Sequence, residues 1–146
     1  MATFNRFNQF SEDLAKGVHN LSTGTLRYMF TNTAPIAANS VRADITEITA
    51  KNGYAANGIA LTGVSAEQAA GITPLIASDL TFTASAATDG TGVGPLRYIV
   101  LYNDTPTSPA DPLIGWWDRG ASITLASGDS LLLDADPVNG LFRVGS

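Results

Sequence analysis

A chain of 146 residues has room for one domain with one hydrophobic core. It holds no cysteine and a single histidine, which excludes a disulfide scaffold, a thiolate metal site and a cysteine nucleophile. The net charge is −5, and the eight Lys and Arg are scattered singly from Arg6 to Arg143, so the sequence offers no basic patch for nucleic acid.

Charged residues make up 14% of the chain, against about 25% in an ordinary soluble domain. Mean hydropathy is +0.11. The longest apolar run, Tyr98 to Tyr102, is far short of the ~20 residues of a membrane helix, so no membrane span is expected. The first segment, MATFNRFNQFSEDLAKG, lacks the uninterrupted apolar stretch of a signal peptide. Either Thr, Ser and Asn supply the surface polarity, or partners cover part of the surface.

In chain order, the apolar residues Phe4, Phe7, Phe10, Leu14 and Val18 step by three and four, which predicts one helix over roughly 5–16 stopped by Gly17. The three phenylalanines form an apolar anchor, either for the chain's own sheet or for a neighbouring subunit. From Thr25 the pattern is that of strands. Thr25 to Thr31 puts Leu26, Tyr28 and Phe30 on one face, and a loop at Pro35 follows. Val41 to Ile48 is ambiguous between helix and extended chain. Asn52-Gly53 and Asn57-Gly58 are turn signals that leave Tyr54 in a tight loop. Weak strands are expected at Ile59 to Val64 and at Gly71 to Ala77.

Asp79 to Ser85 alternates Leu80, Phe82 and Ala84 with Thr81, Thr83 and Ser85, as a half-buried strand does. Ala86 to Pro95, with Gly90, Gly92 and Gly94, reads as a loop. Leu96 to Asn103 is apolar on both faces and predicts a central strand. Asp104 to Pro112 carries Pro106, Pro109 and Pro112 and predicts an exposed loop. Strands are expected at Leu113 to Asp118, Ser122 to Ala126, Ser130 to Asp134 and Leu141 to Val144, the last two joined as a hairpin by Asn139-Gly140. Short strands at this spacing predict an all-β fold, a jelly-roll-like β-sandwich over 21–146 behind an N-terminal helical arm at 1–20.

The sequence presents no catalytic constellation. His19 has no visible nucleophile or acid beside it. Asp134, Asp136 and Asn139-Gly140 approach the start of a calcium loop, but Pro137 interrupts it and a β-turn uses the same residues. The glycines at 90, 92 and 94 form neither a P-loop nor a dinucleotide fingerprint. No catalytic residue, metal or cofactor is therefore expected. Trp116-Trp117 places one indole in the core and the other outward if it lies on a strand. The outward one would stack on a sugar, anchor a partner, or pack under a loop or the helix.

FNRFNQFSEDLAKGVHNL (4–21), FTNTAPIAANSVRADITEI (30–48), NGY (52–54), LRYIVLYNDT (96–105) and PLIGWWDRG (112–120) together resemble small virion proteins of tailed bacteriophages. The type most similar is the jelly-roll cement, or decoration, protein of the capsid. The resemblance implies a non-enzymatic structural protein on the outside of the head, assembled in the host cytoplasm, that binds the major capsid protein and self-associates as a dimer or trimer. Its contact residues would be Phe4, Phe7, Phe10, Pro106, Pro109, Pro112 and the exposed member of Trp116 and Trp117. A phage tail or baseplate component, or a carbohydrate-binding module using an exposed Trp, are the alternatives.

Overall fold

The computed structural model describes residues 2–85 and 91–145. The fold is mostly antiparallel β-sheet with one short helix. Its largest sheet has five strands in the order β1 (Phe4–Arg6), β8 (Leu113–Leu125), β7 (Val93–Asn103), β2 (Leu26–Thr31) and β3 (Ile59–Ala60). A three-stranded sheet runs β10 (Arg143–Val144), β5 (Thr73–Ile76), β4 (Ser65–Ala66), and a two-stranded one pairs β6 (Leu80–Thr83) with β9 (Ser130–Leu133).

The predicted central strand is central: β7 lies between β8 and β2, and its residues from Ile99 to Asn103 are all buried. Alternation then divides the sheet into two faces. Leu26, Tyr28, Phe30, Ile99, Leu101 and Trp117 pack with residues of the two smaller sheets in the main core. Met29, Val100, Tyr102 and Leu113 point the other way and form a second cluster with Phe7, covered by Ile45 and Trp116.

Several expectations are corrected. The helix α1 covers Asn8–Ala15 only, and the residues before it are strand β1. Phe4 pairs with Trp117 and Arg6 with Gly115, so residues 1–20 begin as the edge of the main sheet and not as a helical arm. The competing forces are clear: Asn and Phe have low helix propensity in a helix interior, whereas β8 offers a row of backbone donors and acceptors that need partners. The helix does end at Gly17, whose φ is +77°. Gly17 N–H donates to the Leu14 carbonyl and Val18 N–H to that of Asp13, the paired bonds of a Schellman stop.

The strands expected at 113–118 and 122–126 are one strand, β8. Ile123 lies opposite Leu96 but Asp118 opposite Tyr98, so the residues between them bulge out at Gly120, where φ is +89°. Asn139-Gly140 does not close a hairpin. β9 pairs with β6, and β10 pairs with β5, after Leu141 N–H donates to the Leu75 carbonyl and Leu75 N–H to that of Phe142. A Cβ on Gly140 would stand 2.4 Å from the Leu75 carbonyl oxygen, so glycine is what lets these backbones meet. Residues 93–95, expected as loop, belong to β7, and Gly90 lies outside the described residues. The ambiguous 41–48 segment contains a single 3-10 turn, Arg42–Asp44.

Candidate functional site

The N-terminal phenylalanines are built into the body. Phe7 is fully buried and its ring centroid lies 4.5 Å from that of Trp116. Phe10 is also buried and meets Phe142 edge-on at 5.5 Å. Phe4 is half-buried, stacked on Phe142 at 4.8 Å and tilted against Trp117 at 5.2 Å. Of the two readings of this anchor, the chain's own sheet is the one the packing realises for Phe7 and Phe10.

The Trp pair divides as strand alternation requires: Trp117 is buried and Trp116 half-buried. Trp116 lies over Phe7 on the second face of the sheet. In the proline segment, Pro109 is exposed and Pro106 half-buried, but Pro112 is buried. The exposed-loop expectation fails at Pro112 because its carbonyl accepts the Asn103 N–H at 3.0 Å and it bridges to Val41.

These residues do not converge on one place. What does converge is a cleft around Trp117 that sequence reasoning missed. One part, about 260 Å³, is floored by Tyr28, Ile99 and Trp117 and walled by Leu131–Leu133 of β9 on one side and by Ala2 and Arg119 on the other. The adjoining part, about 530 Å³, shares Ala2 and Trp117 and is bounded by Phe4, Asp134 and Asp136. No spacing signal could have revealed it, because its walls come from both ends of the chain.

Beneath the cleft, the Tyr28 hydroxyl is buried without a hydrogen-bond partner among the described residues, and burial raises its pKa, so it is a neutral O–H. Arg119 makes no ion pair among the described residues, whereas Arg27, Arg42 and Arg97 are held by Asp104, Asp111 and Asp118. Asp136 accepts hydrogen bonds from the Asn139 N–H and side-chain amide and from the Val138 N–H, which hold its pKa down at about 2. Those bonds make it the cap of the turn that the near-calcium motif had suggested. Among the described residues no group of three or more His, Asp or Glu is placed to hold a metal ion.

A second polar cluster is internal. Asp13, His19 and Asn103 are all buried where α1 meets the end of β7. The lone histidine is thus a core residue. Tyr54, read as part of a turn, is core as well: its hydroxyl accepts the Phe30 N–H at 3.0 Å and donates to Glu47 at 2.8 Å.

No protein-family model, curated protein or solved structure matches this chain.

Proposed function

We propose that the chain is a structural protein of a tailed-bacteriophage virion, a cement or decoration protein that binds the outside of the head and bridges units of the major capsid protein. The finer architecture that accompanies this reading is a jelly-roll-like sandwich, the five-stranded sheet forming one layer and the two smaller sheets the other. The observation that supports it is an antiparallel body with large exposed hydrophobics on a chain poor in charge: Ile36, Leu132 and Val138 are 60%, 57% and 76% exposed. Pro106, Pro109 and Trp116 supply further contact surface in this reading, and the chain self-associates as a dimer or trimer.

The mechanism is mechanical. A packaged head is under outward pressure, and a protein that binds only the assembled lattice stabilises it by linkage. Repetition over many equivalent sites turns a modest contact into a strong one through avidity. Co-sedimentation tests this. Retention on empty expanded heads, with weak binding to free shell subunits, is the expected result, and equal binding to both removes the cement role. A tail location remains the second reading, since the same body and surface serve there.

A further inference from the structure

We infer that the cleft over Trp117 is a strand-accepting seam that takes an extended segment of another protein, with a basic residue at its start, apolar side chains turned inward and an acidic residue at its end. On the reading above, that segment belongs to a shell subunit; the cleft's chemistry does not depend on it.

The argument begins with the edge of β9. Successive strand residues point to opposite faces, so Leu131, Leu132 and Leu133 can all line one cleft only along the strand's edge. That edge has no strand beside it among the described residues, since β9 pairs with β6 alone. The sequence Ser-Leu-Leu-Leu contains none of the charges or prolines that normally blunt an open edge, and Leu132 is exposed. The cleft therefore runs along one unpaired edge over the apolar face of the main sheet, the setting in which an added strand gains main-chain hydrogen bonds and side-chain pockets together.

The floor that Tyr28, Ile99 and Trp117 present is apolar and suits the inward side chains of such a segment. The rim sets polarity and direction. Arg119 stands at one end and Asp134 with the ionised Asp136 at the other. All pairings in the main sheet and the β6–β9 pair are antiparallel. A segment antiparallel to β9 runs from the Asp134 end towards Arg119, which places its basic residue first and its acidic residue last.

The test uses the full chain and a blocked heptapeptide with lysine first, glutamate last and alternating valine and threonine between, against the same peptide with the two charges exchanged. Calorimetry and amide hydrogen exchange read the binding. The lysine-first probe should bind more tightly and slow exchange at the outward amides of β9. Arg119→Ala should weaken it by up to about fivefold. Equal binding of both charge orders, or no β9 protection at millimolar probe, would each overturn the seam. Protection that grows with protein concentration and ignores the probe would make the occupant a second copy and overturn it as well. These measurements need no phage particle, so their failure and a failure of head binding are separate results.

Discussion

Asn103 Nδ2 lies 3.3 Å from Nδ1 of His19, and the Oδ1 of the same amide accepts the Thr105 N–H at 3.1 Å. The second bond fixes which way the amide faces, so Nδ2 donates and Nδ1 must accept. The imidazole therefore carries its proton on Nε2, which, like Oδ2 of Asp13, has no hydrogen-bond partner among the described residues. Helix α1 and strand β7 are joined through a neutral histidine. Burial lowers its pKa below the ordinary value of 6.5, with Asp13 acting in the opposite direction.

This linkage gives a pH dependence of definite sign. A histidine whose folded pKa is depressed binds protons more readily in the unfolded chain, so stability is full above about pH 6.5 and falls as pH drops through and below that value. Thermal melts between pH 7.5 and about 5, above the carboxylate range, should show this decline. His19→Gln, which keeps an acceptor for Asn103 but does not titrate, should flatten it; an unchanged slope would contradict the assignment.

Gly115 lies directly under the N-terminal strand. A Cβ there would stand 2.2 Å from the Phe4 ring and 2.6 Å from the Asn5 carbonyl oxygen. Gly115→Ala should displace β1 and cost about 1–3 kcal/mol. Chemical denaturation measures the cost, and loss of amide protection at residues 4–6 locates it.

Phe7 and Phe10 are core residues, so Phe7→Ala should cost about 3–5 kcal/mol. That corresponds to a fall of about 10–16 °C in melting temperature for a chain of this size. Sedimentation equilibrium on the same variant should show self-association like that of the parent. A stable variant that no longer self-associates would return these rings to an interface.

Tyr54→Phe keeps the ring stacked on Phe30 at 5.0 Å but strands the buried Phe30 N–H and one oxygen of Glu47. The expected loss is about 1–3 kcal/mol, read by denaturant titration. A neutral result would mean that water replaces the hydroxyl.

The sequence made the strands with clean alternation legible: Leu80 to Thr83, the two-faced run of β7, and the division of Trp116 from Trp117 all follow from period-two patterning. It misled where the same residues satisfy two periods. Phe4, Phe7 and Phe10 fit a helical stripe, yet Phe4 is drawn to the edge of β8, a long-range preference that no local spacing carries. The partner of β10 was hidden for the same reason, since Pro74 and Arg143 meet across nearly half of the chain. The cleft was least legible of all, because a strand edge set over another sheet's apolar face exists only once distant segments are assembled.

The most direct test of the proposed cement role is a cryo-EM map of tailed-phage particles produced together with this chain. The account predicts density for the antiparallel body on the outer surface of the head, seated across junctions between major capsid subunits. Density in the tail or baseplate, or a complete particle without this chain, would contradict it.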